Sequence, residues 1–124
     1  MIIAIDGTSA SGKGTIAKRI AAWFGIPHMD TGRLYRAVGV AALKADADFE
    51  DAASLSRLAH TLDLNDFHDE ELRTADAAQA ASKVARIPEV REALFQLQRA
   101  FATQSKGAVL DLSLIHISEP TRPY

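Results

Sequence analysis

The stretch Gly7-Thr8-Ser9-Ala10-Ser11-Gly12-Lys13-Gly14-Thr15 carries the densest chemistry in this 124-residue chain. Glycines let consecutive backbone N–H groups curl around an anion with no Cβ in the way. Lys13 adds a mobile point charge suited to the outer phosphates of a polyphosphate. The flanks complete the pattern. An apolar run, Ile2-Ile3-Ala4-Ile5, precedes the stretch and a segment with helical spacing follows, so the order is strand, glycine-rich loop, helix. The helix start behind the loop brings unpaired N–H donors and the positive end of a dipole. Residues 7 to 15 are therefore the candidate phosphate-binding residues, and Lys13 the candidate catalytic one. The commonest loop of this kind places Ser or Thr directly after the lysine, with its hydroxyl on Mg²⁺. Here Gly14 intervenes and the hydroxyl falls at Thr15, which leaves the metal ligands open. Phosphate oxygens and water can hold Mg²⁺ in its place.

Asp30-Thr31-Gly32-Arg33-Leu34-Tyr35-Arg36 forms a second cluster. A hydroxyl at a helix start, with Tyr35 and Arg36 a turn further on, makes a local site for another anion, because Arg presents a planar fork matched to phosphate. On residue chemistry alone, Arg36 reads equally as a surface arginine paired with an acid, and Tyr35 as a core residue. His28, His60, His68 and His116 show no metal-ligand spacing.

These clusters need elements to position them. Ile2 to Asp6 reads as a fully buried strand. Lys13 to Phe24 reads as a helix with Ile16, Ile20, Trp23 and Phe24 on one apolar face and Gly25 as its stop. Ile26 to Asp30 is a short extended stretch, and Thr31 is the expected N-cap of a helix to about Lys44. Residues 50 to 62 read as helical. Asp63 to Glu71 is acidic and polar and is expected to be a loop. Thr74 to Arg86 is an alanine-rich helix, and a further helix begins near Pro88 with a stripe of Val90, Leu94, Leu97 and Phe101. Gly107 to Asp111 reads as a second buried strand. The expected class is α/β, with a parallel sheet and covering helices of the P-loop NTPase type, and ligands at the carboxyl ends of the strands.

Composition bounds the rest. Alanine supplies 23 of the 59 apolar residues, so large apolar side chains are few for an α/β domain. The formal charge of -2 gives no global attraction to nucleic acid or anionic membranes. Cysteine is absent, which excludes disulfides and thiolate metal sites and suits a reducing cytoplasm. No apolar stretch approaches the ~20 residues of a membrane span.

The run of motifs is more specific than the loop alone. Gly7 to Thr15, then Met29-Asp-Thr-Gly-Arg-Leu-Tyr-Arg36, Leu72-Arg-Thr74, Ala80-Ala-Ser-Lys-Val-Ala85, Ile87-Pro-Glu-Val-Arg-Glu-Ala-Leu94 and Gln98-Arg-Ala-Phe101 closely resemble the bacterial cytidylate kinases. The resemblance implies phosphoryl transfer from ATP to CMP or dCMP with Mg²⁺. It implies ATP phosphates on residues 7 to 15, and CMP on Thr31, Tyr35, Arg36, Ser82 and Arg91, with Arg36 at the acceptor phosphate and Ser82 near the cytosine ring. Without the resemblance, Ser82 reads as a small interface residue and Arg91 as an exposed helical arginine. Another small kinase, of adenylate or shikimate type, and a nucleotide-binding fragment without catalysis are the rival readings. The resemblance also implies a cytoplasmic protein, monomeric at full length, acting on small molecules.

The resemblance covers residues 1 to 111, with a helical monophosphate-binding region at about 31 to 105. Family members continue from the acid at Asp111 into Gly-Arg-Asp-x-Gly-Thr, whereas this chain continues Leu112-Ser-Leu-Ile. Residues 112 to 124 are expected to be a foreign, irregular tail. The C-terminal strands and the arginine-bearing lid of the family are then missing, and little turnover is expected. A parallel sheet without its partner strands is expected to leave edges and apolar helix faces uncovered.

Overall fold

The computed structural model describes residues 2–7, 13–103 and 108–113. The chain divides into two compact units, one within Met1–Arg33 and Phe95–Leu114 and the other comprising Leu34–Leu94.

The first unit holds a parallel sheet. Strand β1 (Ile2–Gly7) lies against β3 (Ala108–Ser113), which also pairs with β2 (His28–Asp30), giving the order β1-β3-β2. The register runs from Ile2 opposite Ala108 to Gly7 opposite Ser113, and sets Asp30 opposite Asp111. β3 therefore continues two residues past Asp111. Helix α1 (Lys13–Phe24) carries the chain from β1 to β2, the two strands on either side of β3. Ala17 and Ala21 of α1 are fully or almost fully buried and meet Ile26 and Val109, with Ile3, Ile5 and Ile20 against them.

Two sequence expectations are corrected here. β1 is not fully buried, because Ile3 and Ile5 lean on the core while Ile2 and Ala4 are exposed. Successive strand residues point to opposite faces, and one face is covered. The inner face of α1 is also not the expected one. Ile16 is 51% exposed, Trp23 85% and Phe24 51%. The alanines, whose small side chains let the helix come close to the sheet, turn inward instead. Gly25 ends α1 as expected: its φ of +64° is the left-handed conformation glycine tolerates best. Gly25 N–H donates to the Ala22 carbonyl at 3.3 Å and Ile26 N–H to the Ala21 carbonyl at 3.0 Å. This is the paired closure of a Schellman turn, with Ile26 and Ala21 supplying its apolar contact.

The second unit is helical. It contains most of α2 (Thr31–Lys44), then α3 (Ala52–His60), a 3₁₀ turn (Leu64–Asp66), α4 (Asp69–Leu72), α5 (Ala75–Ala85) and the start of α6 (Pro88–Thr103). Side-chain caps begin several of these. Asp51 accepts from Ser54 N–H at 3.2 Å and Thr74 accepts from Ala77 N–H at 3.0 Å. Pro88, whose missing N–H costs nothing at a first helical position, opens α6. The stretch expected to be a loop is partly helical. Asp63 accepts from Asn65 N–H at 2.9 Å to start the 3₁₀ turn, and Asp69, Glu70 and Glu71 fill the first turn of α4. There, carboxylates are stabilised by the positive helix end. Leu62, Leu64 and Phe67 anchor the stretch on a cluster of Ala37, Val40, Leu72 and Ala77. Lys44 closes it from above, 2.9 Å from Glu71 and 5.3 Å from the Phe67 ring centroid. The hydrogen bond from Lys44, reinforced by the His68 backbone N–H, holds the Glu71 carboxyl below its ordinary range.

Helices α2 and α5 touch through backbone at Gly39. A Cβ there would lie 2.8 Å from the Ala80 Cβ and 2.9 Å from the Ala81 nitrogen. Gly39→Ala recovers about 1 kcal/mol of helix propensity. Forcing the backbones apart costs about 1–3 kcal/mol. We expect net destabilisation, read as a lower urea midpoint for the variant. A midpoint equal to or above that of the parent would show that the helices have room to yield.

Candidate functional site

In the first unit, Gly7 ends β1 and Lys13 opens α1, so residues 8–12 connect a strand carboxyl end to a helix amino end. That is where a parallel α/β sheet presents ligand-binding loops. Thr8, Ser9, Ala10, Ser11 and Gly12 lie outside the described residues. Gly14 follows Lys13 within α1, and Thr15 is exposed in its first turn. That turn contains no acidic residue. An exposed hydroxyl without a carboxylate fits a Mg²⁺ ion held mainly by nucleotide phosphates and water.

Thr31 is the first residue of α2 and only 4% exposed. It is not the N-cap expected from the sequence. Asp30 performs that role, its Oδ1 accepting from Gly32 N–H at 3.0 Å and Arg33 N–H at 3.4 Å. A carboxylate caps a helix start at least as well as a hydroxyl and also faces the positive dipole end. Asp30 thereby ties the carboxyl end of β2 to the start of α2. Sequence reasoning passed over it, although an acid directly before Thr-Gly is itself a capping signal.

In the second unit, Tyr35 and Arg36 are half-buried on α2. Among the described residues, no carboxylate is ion-paired with Arg36. Ser82 is half-buried on α5, and its hydroxyl donates to the Ala78 carbonyl at 3.2 Å. Arg91, half-buried on α6, donates from Nη1 to the Ala85 carbonyl at 3.0 Å. That bond occupies a carbonyl left open by the end of α5. Ser82 keeps its acceptor lone pairs and Arg91 most of its donor fork. Helix α5 is the shared reference for this group: α2 meets it at Gly39 and α6 is tied to its last residue. Tyr35, Arg36, Ser82 and Arg91 thus sit on three helices joined in one unit, while Lys13, Thr15 and Thr31 belong to the other. Among the described residues, no group of three or more His, Asp or Glu side chains could hold a metal, and no helix is long and apolar enough to cross a membrane.

A parallel three-stranded sheet whose first strand is followed by a glycine-rich sequence and a helix defines an α/β protein of the P-loop kinase type. The sequence model for cytidylate kinase matches residues 3–112. The chain belongs to the cytidylate kinase family. It is 55% identical over 111 residues to a cytidylate kinase of Methylocella silvestris, an alignment covering 90% of this chain and 51% of the relative. For the cytidylate kinase of Azorhizobium caulinodans the identity is 56%, covering 90% of this chain and 53% of the relative. For that of a Bradyrhizobium species it is 53%, covering 90% and 52%. The chain thus spans about half the length of the curated relatives it matches.

Proposed function

We propose that this chain provides the nucleotide-binding part of an enzyme that transfers the γ-phosphoryl group of ATP to CMP or dCMP. The observation that carries the reading is Arg36, a half-buried guanidinium on α2 with no carboxylate ion-paired to it among the described residues. It shares a unit with Ser82 and Arg91, within a chain of the cytidylate kinase family. A half-buried cation gains most from an anionic ligand that also satisfies its planar fork. In this reading, residues 7 to 15 hold the ATP phosphates, with Lys13 on the outer ones. Thr31, Tyr35, Arg36, Ser82 and Arg91 hold the monophosphate. The attacking phosphate oxygen is already anionic, so no general base is required and the protein's work is positioning and charge neutralisation. Mg²⁺, bound with the nucleotide and held mainly by phosphate oxygens and water, would supply part of that neutralisation. Residues 1–111 would form the N-terminal part of the kinase domain, with the acceptor region at about 31–105. The reading carries a cytoplasmic location and a monomeric full-length protein.

Competitive titration tests the substrate class. In calorimetry with CMP, dCMP, UMP and AMP, the cytidine monophosphates are expected to bind at least about tenfold more tightly than AMP, a difference of about 1.4 kcal/mol. Tighter binding of AMP than of CMP would move the protein to a different nucleotide kinase class.

A further inference from the structure

Within the helical unit, the helices that carry Arg36 and Ser82 meet through small groups. Gly39 of α2 faces Ala80 and Ala81 of α5, and Ala37, Val40 and Ala77 pack beside it. Helices resist sliding along one another where the side-chain ridges of one fill the grooves of the other. Glycine, alanine and valine raise only low ridges, so this surface brings α2 and α5 close without fixing their axial register. That register matters to the acceptor residues. Lys44, five residues beyond Gly39, pairs with Glu71, ahead of the start of α5 at Ala75. The two helices therefore run in opposite directions. Arg36, almost one turn before Gly39, lies level with the residues that follow Ala81, Ser82 first among them.

A second link reaches α5 at that level. The chain turns out of α2 at Asp46, whose φ of +50° is left-handed. Asp46 N–H donates to the Leu43 carbonyl at 3.2 Å and Ala47 N–H to the Ala42 carbonyl at 2.9 Å, closing the helix end. Half-buried Phe49 follows, and the Lys83 ammonium lies 5.4 Å from its ring centroid. At that distance the negative face of the ring attracts the cation. Lys83 is the next residue after Ser82 on α5. We propose that Phe49 is a positioning residue for the acceptor site: its ring seats Lys83, pins α5 in register with α2 and so sets the separation of Ser82 from Arg36. The part played by Ser82 and Arg36 rests on the proposed function, whereas the pinning does not.

A ligand that reaches both residues feels their separation, and one that meets a single residue does not. CMP offers a base and a phosphate, cytidine lacks the phosphate, and inorganic phosphate lacks the base. NMR titration of the 124-residue chain with all three supplies the test. Phe49→Leu keeps apolar bulk and removes the ring. It is expected to weaken CMP binding about two- to fivefold, the reach of a cation–π contact at an exposed site, and to leave cytidine and inorganic phosphate binding unchanged. Lys83→Met should match it, the double variant should be no weaker than either, and Lys83→Arg should keep the parent affinity. The register is also read without ligand. The chain has no cysteine, so nitroxide labels can be placed at Leu43→Cys on α2 and Asp76→Cys on α5, both exposed positions. Phe49→Leu is expected to broaden or displace the label-to-label distance distribution. An unchanged distribution or undiminished CMP affinity would overturn the proposal. So would additive losses in the double variant, or equal losses for all three ligands, which would mark general support of the unit. A parent chain that binds no cytidine monophosphate would sink the functional reading, and the label distances would then decide alone whether Phe49 sets the register.

Discussion

Lys13→Ala is expected to lower affinity for ATP by about one to two orders of magnitude while leaving CMP affinity unchanged. The argument starts from position. Lys13 is the first residue of α1, separated by five residues from the end of β1 at Gly7. A helix start already favours anions through its free N–H groups, and a lysine there adds a full positive charge next to the same phosphates. A hydrogen bond to a charged group contributes about 1.5–3 kcal/mol, and each 1.4 kcal/mol is a factor of ten in affinity. Calorimetry of the parent chain and the variant with ATP and Mg²⁺ measures the loss. ATP affinity unaffected by the substitution would remove the phosphate-loop reading of residues 7 to 15.

Arg36→Ala should do to CMP what Lys13→Ala does to ATP. A half-buried guanidinium that binds a phosphate does so through two parallel N–H···O contacts, and their loss is expected to weaken CMP binding by about ten- to a hundredfold. Arg36→Lys keeps the charge but not the planar fork, so it should restore only part of the affinity. Cytidine, which carries no phosphate, gives the control. Its weak binding should be the same for the parent and both variants in NMR titrations. A variant that loses cytidine and CMP equally would show that Arg36 supports the shape of the unit, not the phosphate.

The order of elements was legible in the sequence because local signals and long-range packing agreed. Thr74 and Arg86 flank α5 as its caps, and Pro88 opens α6, where residue types dictate the backbone. The end of β1 at Gly7 and the start of α1 at Lys13 followed from the same strand–helix pattern. Helix α1 was misread for a reason in its packing. Helical spacing grouped Ile16, Ile20, Trp23 and Phe24 on one face, but of these only Ile20 leans on the core, and the sheet receives Ala17 and Ala21, whose small side chains allow close approach. The stretch from Asp63 to Glu71 was misread because its charge obscured two anchors, Leu64 and Phe67, too few to display a period. Of the candidate site, the motifs gave the residue types and the resemblance gave Ser82 and Arg91. Neither revealed that Asp30 holds the start of α2, or that the end of α5 accepts a hydrogen bond from Arg91.

The backbone contact at Gly39 has a volumetric consequence. Where two helices meet with only the Ala80 methyl against Gly39, there is little empty space for unfolding to eliminate. Compression gains correspondingly little by separating α2 from α5. The platform that carries Ser82, and to which Arg91 is fastened, would resist hydrostatic pressure more than an interface filled by branched side chains.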